Sequence, residues 1–247
     1  MTGTILSDGV FRARVTFGLP DTDRFGRTDP GALLWQLQEI AGAHSEATGR
    51  GDALILSHGC FWAVIRSELE IARPIPAGVE LLLDTWNGRS GHGLFRRHYR
   101  LQTPDGLVLM RGVSGWVLMD AATRQLAEDR SWLPETAPLT QPDELAGARR
   151  TLFPAPEHTL PRTVQREETD RNGHLNNTVY LRWAADLLPE EFAAGHTLRS
   201  LWIEYKKELP LGQTAELAYT LADRTLYLRG TAEGRDSFLM RCEYDPI

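Results

Sequence analysis

The stretch ETDRNGHLNNTVYLRW, residues 168–183, places Asp170, Asn172, His174, Asn176 and Asn177 close together, directly ahead of a helical pattern. An imidazole moves protons near neutral pH, because its unperturbed pKa is about 6.5. A carboxylate orients a histidine or activates water, and a carboxamide polarises a carbonyl or holds a water in place. The helix that follows offers free backbone N–H groups at its positive end to a developing oxyanion. If the segment is extended, Asp170, Asn172 and His174 alternate onto one side. Such a set suits hydrolysis of an ester-like carbonyl. No Gly-x-Ser-x-Gly elbow or phosphate-cradling glycine loop competes with it. The same residues also suit a purely local role: Asn176 or Asn177 caps the helix, Asp170 and Gly173 make a turn, and His174 is an ordinary loop residue. Two asparagines exceed what one cap needs, and on these residues alone both readings stand.

The elements that must position this segment form two similar series. Thr22-Asp23-Arg24-Phe25-Gly26 recurs as Thr169-Asp170-Arg171-Asn172-Gly173, each ahead of a helical pattern. Pro76-Ala77-Gly78 and Pro210-Leu211-Gly212 each sit between two strand-like runs, and the common order points to an internal duplication. In the first series, residues 30–48 read as a helix capped by Asp29, with Pro30 at its first position and Gly49 to end it. Leu33, Leu37, Ile40 and Ala41 make its apolar stripe. Strand-like runs follow at 61–71, 79–86, 94–102 and 107–119, broken by RPIPAG, NGRSGHG and TPDG. The second series has a helix at 178–188, stopped by Pro189, and runs near 198–207, 214–222, 226–232 and 237–244. One helix followed by four antiparallel strands, twice, is an α+β arrangement in which each sheet wraps its own helix and leaves its other face wet. Between them Pro134, Pro138, Pro142, Pro154, Pro156 and Pro161 mark a mostly irregular linker. The expected division is 1–130, a linker at 131–161, and 162–247.

Composition narrows the class. The 247 residues are 42% hydrophobic and 24% charged, which is ordinary for a globular chain with a substantial core. A net charge of −6 suggests no general affinity for nucleic acid or anionic membrane, although a local basic patch can still receive an acidic partner. Cys60 and Cys242 are too few for a disulfide framework or a zinc site and fit a reducing compartment. With no signal-peptide pattern and no apolar run of membrane-spanning length, the expectation is a cytoplasmic protein.

The segment TDRNGHLNNTVYLRW resembles the Asp-x-x-Gly-His-x-Asn-Asn-x-x-Tyr signature of hotdog-fold thioesterases. Its fuller Asp-x-Asn-x-His-x-Asn-Asn form resembles the acyl-ACP thioesterases of plant plastids and their bacterial relatives. LLWQLQEIAGAH, FWAVIRSELEIARPIPAGVELLLDTW, SGWVLMDAATRQL and IEYKKEL look like that family in the same order, so the likeness spans nearly the whole chain. The resemblance implies two tandem hotdog modules, each an antiparallel sheet around a central helix. It implies hydrolysis of the thioester between a fatty acyl chain and the phosphopantetheine arm of acyl carrier protein, without a cofactor or metal.

By motif position the resemblance makes Asp170, Asn172, His174 and Glu208 the catalytic residues. Glu208 ends the run LWIEYKKE, where an exposed charge is the usual case, and only the resemblance gives it a role. Many family members carry a cysteine next; here the residue is Leu209, which favours attack by water over a thiol mechanism. Either Glu208 or His174 is then the base. Asn172 holds the water or the carbonyl, Asp170 fixes the loop, and helix N–H groups receive the oxyanion. The first series has Phe25 and Arg27 at the positions of Asn172 and His174, so one site per chain is expected, with the first module shaping the acyl pocket. His44, His92 and His98 have no such cluster and read as structural or surface residues. Trp35, Trp62, Trp86, Trp116, Trp183 and Trp202 read as core, some of them lining an acyl tunnel. Lys206, Lys207, Arg96, Arg97 and Arg100 are candidates for receiving the acidic carrier protein. The alternatives are an acyl-CoA thioesterase with the same chemistry and a non-catalytic acyl-chain binder; monomer and homodimer are both open.

Overall fold

A computed structural model describes residues 1–142, 144–145, 147 and 152–247. In chain order the elements are β1 (Gly3–Ile5), β2 (Phe11–Thr16), α1 (Pro30–Ala47), α2 (Asp52–Ser57), β3 (Cys60–Ile71), β4 (Glu80–Asn87), β5 (Phe95–Gln102) and β6 (Val108–Asp120). There follow β7 (His158–Thr163), α3 (Val179–Ala185), α4 (Glu190–Gly195), β8 (His196–Tyr205), β9 (Thr214–Ala222), β10 (Thr225–Ala232) and β11 (Arg235–Pro246). The result is an α+β chain dominated by antiparallel sheet.

The Asp29 carboxylate accepts from the Gly31 and Ala32 amides, and Pro30 occupies the first turn, which is why α1 starts where the sequence says. Its expected stripe of Leu33, Leu37, Ile40 and Ala41 is buried, joined by Leu34 and His44. The second helix is shorter than expected. Past Ala185 the amides of Leu187 and Leu188 reach back three residues to Ala184 and Ala185, tightening the chain before Pro189. After that proline the separate helix α4 starts.

Among the described residues eleven strands form one sheet in the order β1-β2-β4-β5-β6-β3-β8-β11-β10-β9-β7. Beyond β1, the order outward from the central β3–β8 pair is the same on both sides, counted from the first strand of each half. Two expectations change here. The first half has six strands and the second five, rather than four each, since β1 pairs with β2, β2 with β4, and β7 with β9. The two sheets are also joined, through Arg66↔Glu204 to Glu70↔Ser200. Leu33, Leu37 and Ile40 of α1 and Val179, Leu181 and Trp183 of α3 share one core with Leu83, Leu101, Leu201, Ile203, Leu228 and Met240 of the strands. The helices cross closely: a Cβ added at Gly31 would lie 3.2 Å from the Thr178 carbonyl oxygen.

The proline-rich segment differs from a free linker. Residues 143, 146 and 148–151 lie outside the described residues, but its end, from His158, is strand β7, with Pro161 on the sheet edge where no ladder donor is missed. Earlier parts cover the sheet's outer face: the Trp86 indole N–H donates to Glu144 Oε1 (2.7 Å), and Phe153 packs on Trp202 and Tyr227. That face is therefore covered rather than wet at these positions. Among the described residues no helix is long and apolar enough to cross a membrane.

Candidate active site

The site grows from a tight turn. The Asp170 Oδ1 oxygen accepts from the backbone N–H groups of Asn172 (2.8 Å) and His174 (3.2 Å). The Asp170 amide donates to the His174 carbonyl (2.8 Å), and the Gly173 amide to the Asp170 carbonyl (3.0 Å). Gly173 has φ +77°, which a side chain would strain. The segment is thus not extended, and the alternation expected to align Asp170, Asn172 and His174 does not operate. Proximity comes from the turn instead.

The other half contains the same turn. Asp23 Oδ1 accepts from the Phe25 and Arg27 amides, the Asp23 amide donates to the Arg27 carbonyl, and Gly26 has φ +75°. There the residue at the histidine position, Arg27, donates to Asp23 and to the carbonyls of Ala193 and His196. The repeated Thr-Asp-Arg therefore encodes a turn first; only the second copy adds residues capable of chemistry.

Glu208 reaches this turn through backbone pairing rather than as a strand residue, since β8 stops at Tyr205. The Leu175 amide donates to the Leu209 carbonyl (2.8 Å), the Leu211 amide donates to the Gly173 carbonyl (3.0 Å), and His174 bridges Pro210. Leu209 itself is fully buried in the core. With its neighbour so anchored, Glu208 stays exposed, and its Oε2 lies 3.5 Å from His174 Nδ1. The same oxygen accepts from Arg124 Nη2 at 2.6 Å. Arg124 comes from the turn after β6, where φ is +57°, and lies over the Phe61 ring. Asp170, Asn172, His174 and Glu208 are therefore together. Arg124, from the other half of the chain, was not foreseen, because nothing local in ATRQL marks a partner 84 residues away.

The amides expected to serve an oxyanion are partly engaged. Asn176 accepts from the Thr178 amide with its side chain (3.0 Å) and from the Val179 amide with its carbonyl (2.9 Å). Asn176 thus holds the turn that leads into α3, whose N-cap position is Thr178, and Asn177 is the asparagine left over. Asn177 lines both a groove of about 1200 Å³ and a smaller inner pocket. The groove also exposes Asp170, Asn172, Trp35, Trp62 and Phe95. The inner pocket, walled by Leu34, Leu37, Val64, Leu69 and Val113, is closed down to about 20 Å³, about the space of one water. Of the six tryptophans singled out above, Trp86, Trp183 and Trp202 are core. Trp35, Trp62 and Trp116 line these cavities instead.

The five basic residues proposed for carrier docking do not form one patch. Arg97 is buried, and Arg100 pairs with buried Asp84. Lys206 pairs with Asp236 and Lys207 with Glu233, while Arg96 is exposed. His44 is buried against Arg97, and burial together with the Arg97 and Arg50 charges lowers its pKa to about 4. In the unfolded chain it titrates near 6.5. Between those values the unfolded state binds the extra proton, so stability should fall as pH drops from about 6.5 to about 4. A His44→Gln variant, which keeps an acceptor for Arg97, should flatten that part of a Tm-versus-pH curve; an unchanged slope would assign it to another group.

Residues 9–129 match the acyl-ACP thioesterase N-terminal domain family and residues 156–241 the acyl-ACP thioesterase C-terminal domain family. The chain is 27% identical over 192 residues to an oleoyl-acyl carrier protein thioesterase, chloroplastic, of Coriandrum sativum, covering 70% of this chain and 52% of the relative. It spans about half the length of the curated relatives it matches. A 12:0-ACP thioesterase from Umbellularia californica superimposes with a TM-score of 0.82 at 21% identity, covering 96% of this chain and 98% of that one. An acyl-ACP thioesterase from Bacteroides thetaiotaomicron does so with a TM-score of 0.79 at 19% identity, over 97% and 100%. At these identities the structures speak for the fold.

Proposed function

Because the chain belongs to the acyl-ACP thioesterase family, we propose that it hydrolyses fatty acyl thioesters of acyl carrier protein, releasing a free fatty acid and the carrier thiol. The observation that carries this reading is the His174–Glu208 approach of 3.5 Å on a turn whose Asp170 and Asn172 face a groove of about 1200 Å³. Two tandem hotdog modules, the first at 1–130 and the second from β7 at His158 rather than from the expected 162, are supported by the matching strand order and by the duplicated Asp turn.

In the proposed mechanism the Glu208 carboxylate faces Nδ1 of His174, which leaves Nε2 as the base for water. The water loses a proton to Nε2 as its oxygen bonds to the thioester carbon. The tetrahedral intermediate then expels the sulfur, and the imidazolium returns the proton to the leaving thiolate. The carboxamide of Asn172 or Asn177 steadies the water or the carbonyl oxygen, in place of the engaged helix amides. Arg124 positions Glu208 by holding the oxygen that faces the ring.

Thiol release from matched acyl-ACP and acyl-CoA substrates, across a panel of chain lengths, tests the reading. Higher kcat/KM on the carrier substrates supports it, and a strong CoA preference overturns it in favour of an acyl-CoA thioesterase. Tight acyl binding without thiol release would make the chain a binder. A water mechanism also predicts indifference to alkylating reagents. Cys60 and Cys242 are both buried, and burial pushes the Cys242 thiol up to about 12, so thiolate is scarce at neutral pH. Turnover should survive iodoacetamide treatment that leaves the fold intact.

A further inference from the structure

The groove holds a second polar centre that the proposed mechanism does not use. Arg97 is buried, with only 8% of its surface exposed, yet it lines the groove beside Arg50, Ser45 and Asn87. Its Nη1 donates to His44 Nδ1 (2.7 Å) and Thr85 Oγ1 (3.4 Å), and its Nη2 donates to Ser45 Oγ (3.2 Å). Every one of those acceptors is uncharged when His44 is neutral, and the low His44 pKa of about 4 keeps it so near pH 7.

Arg50 is no better balanced. Its Nε donates to the Pro134 carbonyl (2.6 Å), and its guanidinium lies 5.9 Å from the Phe95 ring centroid. Glu135 acts on it from a distance, and the groove carboxylate Glu46 is occupied by the Asp52 amide (3.0 Å). Among the described residues neither Arg50 nor Arg97 has a carboxylate at ion-pair distance. Burial, and then the charge of Arg50, disfavour the charge on Arg97, and a guanidinium nearly removed from water is costly to keep without an anion beside it. Arginine forks suit anionic oxygens, phosphate above all.

We propose that Arg97 and Arg50 form an anion site in the groove that takes the phosphate of the pantetheine arm carrying the acyl chain. The assignment rests on the thioester-hydrolase reading above. In that reading a fatty acyl chain bears no ionised group, and the arm's phosphate is the permanent anion near the thioester. The apolar chain has a different place to go, since the groove meets the aliphatic inner pocket at Gln38, Trp116, Asn177 and Thr178.

The test compares dodecanoyl-pantetheine with dodecanoyl-phosphopantetheine, which differ by the phosphate alone. The wild-type chain should show a kcat/KM about 10-fold or more higher on the phosphorylated substrate. In Arg97→Gln and in the more exposed Arg50→Gln, that ratio should fall towards one. Equal wild-type turnover of both compounds overturns the site while leaving the hydrolase reading intact. Absence of turnover on these compounds and on acyl-ACP defeats the hydrolase reading instead. Calorimetric titration with phosphopantetheine and with pantetheine then decides the site by itself: heat from the phosphorylated compound alone, lost in Arg50→Gln, keeps it, and equal behaviour removes it. A rate gain from an ω-carboxylate on the acyl chain, with none from the phosphate, overturns the arm assignment.

Discussion

His174→Ala should lower kcat for acyl-carrier thioester hydrolysis by about 100- to 10,000-fold, the range a general base contributes. Folding should be little affected, because the interactions that hold residue 174 are made by backbone atoms. Its amide donates to Asp170, its carbonyl accepts from the Asp170 amide, and its bridge to Pro210 needs no imidazole. The side chain itself is largely enclosed, which gives the ring a fixed orientation towards Glu208. Glu208→Gln should cost less, since a carboxamide keeps the shape and an oxygen near Nδ1 while losing only the charge. Arg124→Ala should resemble the glutamate variant in direction, because it frees the same oxygen without removing it. Stopped assays of thiol release, paired with thermal melts, check all three. A His174→Ala protein that melts normally and turns over normally would remove the imidazole from the chemistry, and the Glu208 role would go with it.

The parts of the fold that could be read from the sequence are those whose causes are local. Asp29, Pro30 and Gly49 bracket α1, and RPIPAG, NGRSGHG and TPDG delimit the strands to within a residue or two, because caps and turns act within a few positions. The strands β2 and β7 went unread for opposite reasons. FRARVT does alternate, with Phe11, Ala13 and Val15 buried, but the two arginines make it look like a polar lead-in. HTLPRT contains a proline, which marks a linker unless the strand is known to lie at a sheet edge. Edge position is a property of the whole sheet and leaves no local trace.

The candidate site divides in the same way. The Asp-x-Asn-x-His cluster is visible as residue types, but its geometry depends on Gly173, whose positive φ selects the turn over the extended alternative. Glu208 is 34 positions from His174 and came within view only through family resemblance; its approach depends on backbone pairing of residues 173–175 with 209–211. Arg97 illustrates the harder case. In the sequence it is one of several arginines in FRRHYR and reads as surface charge, whereas strand register turns it inward against His44. Burial of a charge is decided by which face of a strand meets the helix, and an arginine in the run gives no warning of it.

Asp170 offers the sharpest separation between a chemical and an architectural role. Its Oδ1 accepts from two backbone amides, and the same arrangement recurs around Asp23 in the half that has phenylalanine and arginine where the site has asparagine and histidine. A carboxylate needed to transfer protons or to bind the reacting atoms would have no reason to be repeated there. Asp170→Asn retains an oxygen that can accept from both amides, so the turn survives and kcat should stay within about 10-fold of wild type. Asp170→Ala removes both bonds, each worth on the order of 1.5–3 kcal/mol when the acceptor is charged and less at this partly exposed position. The loop then loses the geometry that sets His174 beside Glu208, and kcat should fall by about 100-fold or more, the loss expected when a reacting group moves by about 1 Å. Global melting should change far less than activity, because Leu175 and Gly173 keep their pairing with residues 209–211. Equal and severe losses in the alanine and asparagine variants would give Asp170 a direct part in catalysis, and the duplicated turn would then have been put to a use its first copy never had.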